Sequence, residues 1–372
     1  MRAWALGLLY LGLIPGFAGG WDDEGEKLVL LSSSPVFIHE NGDPYDLENR
    51  FGFNHGPSVT TLPDGRLLAA WFSGPYEASV RQVILGAFSS DGGLNWTPAR
   101  VIQDLPRTSD FDPAFIADGA RTWLFFSAGR HSRYPFVRNE KEEVGPASFK
   151  TWYRVSGDGG QSWSGPRTAG EKVFCRSNGI RLSSGELLLP IYRVPSSGGV
   201  LKSSDGGRTW QDFGQVMTET GGGEPAIAEL GEGRIMMVLR TRDGFLWRAF
   251  SGDRGETWSA PENSGLTAAA SSHSLLRCRN GNLVLAHNDS QPPARTRLTL
   301  RVSRDDGRTW GKPLEIARVE LPEEGQAVWG RQVSYPSMAE LEDGTLIVVW
   351  TRIVLSDREQ YGDIWSARVR VD

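Results

Sequence analysis

Five segments of the chain repeat one pattern, Ser-x-Asp-x-Gly-x-(Thr/Ser/Asn)-Trp: Ser89–Trp96, Ser156–Trp163, Ser203–Trp210, Ser251–Trp258 and Ser303–Trp310. Their first serines stand 67, 47, 48 and 52 residues apart, a period of about fifty with extra chain in one copy. The chemistry is that of a locked turn. The aspartate accepts hydrogen bonds from backbone N–H groups, the glycine permits positive φ, and the tryptophan covers the turn with apolar area. A length of 372 residues would by itself suggest two domains. A sustained period argues instead for one repetitive architecture.

A second pattern runs out of phase with the first and occurs six times. A short apolar strand leads into a glycine turn and then a strongly apolar strand, with the turns at Gly65, Gly119, Gly185, Gly233, Gly281 and Gly344. Asp-Gly and Asn-Gly between apolar runs are strong hairpin signals. Each unit therefore reads as four antiparallel strands A to D, with the glycine turn between A and B and the aspartate turn between C and D. Radial repetition of such units leaves only short, protected sheet edges. The predicted fold is all-β, a six-bladed β-propeller over residues 21–372 with five aspartate turns. The sixth unit ends at its C strand, Asp363 to Val371, so its outermost strand is expected from the segment around Val29 to Ile38.

Residues 1–20 are set apart. Arg2, the apolar run from Ala3 to Ile14 and the small residues before Trp21 read as a secretory signal peptide. The run is shorter than the ~20 apolar residues that span a bilayer, so no membrane span is expected after cleavage. The protein is expected to be secreted or periplasmic. Forty basic residues against 45 acidic ones, scattered rather than blocked, argue against nucleic acid as a partner. Two cysteines exclude a disulfide framework or a cysteine-rich metal site. No metal or cofactor is expected, and the chain is expected to be a monomer.

In such a ring the entrances of the A strands surround the axis on one face, where a concave site is the default expectation. In order they read His55, Asp112, Asn178, Glu224, His273 and Tyr335. The far ends of the B strands return to the same face and carry Arg130, Arg193, Arg240, Asn288 and Arg352, and Arg295 begins the fifth C strand. Several arginines around a pocket holding Glu and Tyr suit a carboxylate-bearing ligand gripped by forked contacts. The aspartate turns join outer strands and are assigned to structure.

These residues resemble a known family. The aspartate turns are similar to Asp-box, or BNR, repeats, and the chain from residue 21 onward resembles the six-bladed sialidase (neuraminidase) superfamily, in particular its bacterial BNR-repeat-like branch. The resemblance implies a tyrosine nucleophile activated by a glutamate, an arginine triad for the sugar carboxylate, and an aspartate as acid/base; sialidases are known tyrosine exceptions among glycosidases. Carried onto this sequence, Tyr335 in SYPSM resembles the nucleophile and Glu224 in GGEPAI its activating base. Arg240 in VLRTRDG and Arg295 in ARTRLTL resemble two of the arginines, and Asp112 in DFDPAF an aspartate lining the sugar pocket.

Two positions depart from the family pattern. His55 stands where the first arginine, of a Phe-Arg-Ile-Pro motif, is expected, with Arg50, Arg130 or Arg193 as replacements. Glu77, in WFSGPYEASVR, is the carboxylic acid nearest to the acid/base position. The expected function is an exported, retaining exo-glycosidase acting on terminal sialic acid or a related acidic sugar. The alternatives are a same-fold enzyme on another acidic sugar, with Tyr335 and His273 as acid and base, and a non-catalytic carbohydrate-binding propeller.

Overall fold

In the computed structural model, which describes residues 28–39, 51–130, 148–193, 196–320, 331–354 and 362–371, the strands form six antiparallel sheets. Blade 1 consists of Phe53–Thr61, Leu67–Gly74, Val83–Ser89 and Arg100–Gln103. Blade 2 consists of Ser109–Asp118, Arg121–Arg130, Ser148–Ser156 and Arg167–Glu171. Blade 3 has a broken inner strand, Phe174–Cys175 and Ile180–Arg181, followed by Leu187–Arg193, Ser197–Ser203 and Gln211–Val216. Blade 4 is built from Gly223–Glu229, Ile235–Arg240, Phe245–Ser251 and Glu262–Thr267, and blade 5 from Ser274–Arg277, Leu283–Asn288, Arg297–Ser303 and Leu314–Arg318. The single helical piece among the described residues is one 3₁₀ turn, Gly231–Gly233.

Blade 6 closes the ring as its sequence requires. Arg331–Glu340, Leu346–Val354 and Gly362–Val371 are joined by the N-terminal strand Leu28–Phe37, which runs antiparallel to the last strand from Leu28 opposite Val371 to Phe37 opposite Ile364. Ser33 Oγ donates to the Ser366 carbonyl at 3.0 Å, and Trp96 of the first aspartate turn reaches Ser366 Oγ at 3.2 Å. The stretch proposed as a signal peptide lies outside the described residues.

The strongly apolar B strands are buried on both faces, which is why they read as continuous hydrophobic runs. Along blade 1, Leu67, Ala69 and Trp71 pack against Ile347 and Val349 of blade 6, whereas Leu68, Ala70 and Phe72 pack against Phe115 and Leu124 of blade 2. The same alternation gives one apolar core between each pair of neighbouring blades, six in all. Strand periodicity of two thus welds the ring side to side.

The aspartate turns do as their composition predicts. In blade 4, Asp253 Oδ1 accepts the backbone N–H groups of Glu256 and Thr257 at 3.1 and 2.9 Å, while Ser251 Oγ donates to Asp253 Oδ1 and accepts from Gly255 N, both at 2.8 Å. Neighbouring blades clamp the turns from outside: Arg100 Nη2 donates to the Gly160 carbonyl at 2.9 Å and Arg368 to that of Gly92.

Candidate active site

Four inner strands enter the axis through the same irregularity. The strand register slips between His55 and Ser58, Phe111 and Ala114, Gly223 and Ala226, and Ser334 and Ser337. At each slip a residue with positive φ precedes a proline: Gly56 at 58°, Asp112 at 52°, Glu224 at 42° and Tyr335 at 58°. The left-handed region is uncommon for non-glycine residues, and proline restricts its predecessor further. Such strain persists where the surrounding fold over-determines it, and it clusters at functional sites. Here bulges re-aim three of these side chains, those of Asp112, Glu224 and Tyr335, toward one axial volume.

The centre of that volume is a hydrogen-bonded triangle. The Tyr335 hydroxyl donates to Glu224 Oε1 at 3.1 Å, Arg240 Nη1 donates to the same carboxylate oxygen at 2.6 Å, and Arg240 Nη1 also reaches the Tyr335 oxygen at 3.1 Å. Arg240 arrives there because it ends the second strand of blade 4 opposite Gly223, beside Glu224. The Arg295 guanidinium lies 5.3 Å from the Tyr335 ring centroid and is itself oriented by Gln332 Oε1 at 3.1 Å and the Ala270 carbonyl at 2.7 Å. The His55 ring is 4.3 Å from that of Tyr335.

Burial would raise the Glu224 carboxyl, but the adjoining Arg240 outweighs it, and the group is held below the ordinary glutamate value. Burial, reinforced by the Glu224 charge, pushes the Tyr335 phenol up to about 12. Glu224 is therefore the ionised partner and Tyr335 the proton donor. Burial among Arg295, Arg176 and Arg240 drives His55 well below its usual range, so it sits in the pocket as a neutral ring. Glu77 is solvent-exposed on the turn after the second strand of blade 1. Its protein surroundings still raise its carboxyl, and it feels the charges of Arg295, Glu224 and Arg240. Burial also lifts Asp112 to about 7, against the pull of Arg176.

Four sequence candidates fall elsewhere. Asn178 ties backbones together, accepting from Phe115 N and donating to the Val59 carbonyl, both at 2.8 Å. His273 Nε2 lies 2.9 Å from the Val238 carbonyl, so it carries the proton there and links blades 4 and 5. Arg193 pairs with Asp212 on the outer strand of blade 3. Arg352 lies over Trp365 at 5.6 Å and 3.6 Å from Asp363. The side chain of Arg130, and the whole of Arg50, lie outside the described residues.

Two residues were missed. Arg176, buried beneath Tyr335, places its guanidinium carbon 5.1 Å from that ring. Tyr192 turns inward where its neighbour Arg193 turns out, and its hydroxyl donates to Asp112 Oδ2 at 3.3 Å. The signal for Arg176 was a count: Gly56, Arg176, Glu224, Ser272 and Tyr335 each stand nine residues before the turn glycine of their unit. His55, Asn178 and His273 are off that count by one or two positions. Asp112, seven before Gly119, is off the count as well, and both it and His55 still lie at the axis, beside Arg176 and Tyr335 respectively.

Residues 65–348 match the BNR repeat-like domain family. A sialidase of Micromonospora viridifaciens is 26% identical over 326 residues, 78% of this chain and 48% of that protein. A sialidase of Bacteroides fragilis is 28% identical over 218 residues, 52% of this chain and 38% of that protein. The chain thus spans less than half the length of these curated relatives. Among solved structures, a Dyadobacter fermentans protein of unknown function superposes with a TM-score of 0.71 at 21% identity, covering 93% of this chain and 99% of that one. A variant of the NanB sialidase of Streptococcus pneumoniae also gives 0.71, at 15% identity over 90% of this chain and 70% of that one. At these identities the likeness is one of fold.

Proposed function

We propose that this chain, which belongs to the BNR repeat-like family of the sialidase superfamily, is a retaining exo-glycosidase for terminal sialic acid or a closely related carboxylate-bearing sugar. The observation that carries the reading is the contact of the Tyr335 hydroxyl with Glu224 Oε1 at 3.1 Å, bridged by Arg240. A lectin has no need of a phenol set against an ionised carboxylate. A glycosidase does: an anomeric carbon bearing a carboxylate repels an anionic nucleophile, whereas a phenol becomes one only as its proton leaves for a base.

In the proposed reaction Arg240 and Arg295 hold the sugar carboxylate. The Tyr335 oxygen forms a bond to the anomeric carbon as its proton passes to Glu224, and the bond to the leaving-group oxygen breaks. Glu77, at the mouth, donates a proton to that oxygen. A water deprotonated by Glu77 then attacks the anomeric carbon from the vacated side, and Tyr335 recovers its proton from Glu224. Two displacements at one carbon retain its configuration. Export, read from the N-terminal residues, would place the enzyme with extracellular or periplasmic glycans.

The departure at blade 1 favours a second reading. A neutral His55 replaces an expected arginine, so the pocket grips the carboxylate with fewer facing cations and suits other acidic sugars as well. Incubation with α-linked aryl sialosides and aryl glycuronides, followed by NMR of the first-formed anomer, separates the readings. Release of the α-anomer of sialic acid supports the first. Turnover of glycuronides alone moves the substrate to another acidic sugar, and binding without turnover of either class makes the protein a lectin.

A further inference from the structure

Arg176 ranks among the largest fully buried side chains of the molecule, alongside Trp71 and Trp350. A guanidinium is costly to bury unless its donors are satisfied and its charge is balanced. What it touches is therefore informative. Nη2 donates to the Pro57 carbonyl at 3.0 Å and to the Tyr335 carbonyl at 3.3 Å, and Nη1 donates to Ser58 Oγ at 3.4 Å. Nε lies 3.9 Å from Asp112 Oδ1.

These partners belong to three of the four axial bulges. Pro57 follows the left-handed Gly56, and Tyr335 and Asp112 are themselves left-handed. Arg176 reaches all three from blade 3, whose inner strand is interrupted between Cys175 and Ile180. Its side chain is 1% exposed, against 24% for Arg240. A group so enclosed, with both terminal nitrogens on backbone carbonyls and a hydroxyl and only the buried Nε left without a hydrogen-bond partner, does not grip a ligand from solvent.

We propose that Arg176 is a positioning residue: from beneath the pocket it locks the backbone of Tyr335 in its left-handed pose, so that the phenol meets Glu224. Blade 1 contributes no cation at the equivalent place, since Gly56 stands there. The third arginine of this site thus acts on the nucleophile rather than on the sugar. The kinetic part of this inference rests on the reaction proposed above; its structural part does not.

The test compares Arg176→Met and Arg176→Lys with the wild type by crystallography and kinetics. In the Met variant Tyr335 should leave its positive φ and its oxygen should move out of hydrogen-bond reach of Glu224. A displacement of about 1 Å at a reacting group costs roughly 10²-fold, so kcat on an activated aryl sialoside should fall by about that factor. KM, and the affinity for an unreactive unsaturated sialic acid analogue, should stay within about threefold. The Lys variant should recover part of the rate. Because an emptied axis can unfold the Met variant, the Lys variant decides where that happens. A folded variant in which Tyr335 keeps its pose overturns the inference, and so does loss of analogue binding with kcat intact. Should the wild type cleave no sialoside, the reaction fails while the pose of Tyr335 in the variants still tests the role of Arg176.

Discussion

The Tyr335 hydroxyl and the Glu224 carboxylate meet at 3.1 Å although 111 residues separate them in the chain. Nothing local brings them together. Two bulges, one in blade 4 and one in blade 6, turn both side chains toward the axis, and Arg240 fastens them there.

That relationship sets the pH dependence expected of the reaction. Glu224 must be ionised, and Arg240 keeps it so to below the ordinary value of 4.5. Glu77 must hold a proton, and the protein atoms crowding it raise its carboxyl from the ordinary value although its surface remains open to solvent. The value of kcat/KM should therefore rise with pH as Glu224 ionises and fall as Glu77 loses its proton. Glu77→Gln should flatten the alkaline limb on activated aryl substrates and slow poor leaving groups about 10²-fold more than good ones. Asp112, pushed up to about 7, titrates in the same window. The Asp112→Asn profile separates its part.

The aspartate turns should report on stability alone. Ser251 is buried and joins Asp253 to Gly255 N. Ser251→Ala should cost about 1–2 kcal/mol through the lost hydrogen bonds, with turnover per folded molecule unchanged. The turns should also fail together in acid. The backbone N–H of Asn95 holds Asp91, and the Ser162 hydroxyl holds Asp158, at about 2 against an ordinary 3.8. A depressed carboxylate contributes stability above its unfolded value and loses it as pH falls through the folded one. Melting temperature should drop between about pH 4 and 2.

Asp110 should behave in the opposite sense. It is fully buried in blade 2, accepts from Gln103 Nε2 at 3.0 Å and Leu105 N at 2.8 Å, and burial lifts it to about 8. A raised carboxyl favours folding below its unfolded value, 3.8, and that contribution is lost as pH rises toward the folded one. Asp110→Asn should match the wild type in melting temperature near pH 4 and exceed it at pH 8. Equal melting temperatures at pH 8 would refute the assignment.

The ring was legible because its signals are local and periodic: turn chemistry every fifty residues and apolar runs between turns. The Tyr335, Glu224, Arg240 and Arg295 positions were legible through resemblance and phase. The bulges were not, because a one-residue slip leaves no mark in hydrophobicity while reversing every side chain beyond it. His273 and Asn178, which hold backbones instead, belong to blades 5 and 3, whose inner strands carry no such slip; there the count of nine marks Ser272 and Arg176, and Arg176 was passed over. Arg193 and Tyr192 show the same effect on a B strand: adjacent residues face opposite ways, and the one chosen for its charge points outward.

The most direct measurement is of the covalent bond on which the proposed mechanism turns. A sialic acid fluorinated at the anomeric carbon, to speed attack, and at the carbon beside it, to slow release, should accumulate as a glycosyl-enzyme. Intact mass should rise by one sugar per chain, and peptide mapping should place it on Tyr335, with no adduct in Tyr335→Phe. Turnover of aryl sialosides without any adduct, or an adduct on a carboxylate such as Glu224 or Glu77, would contradict the account.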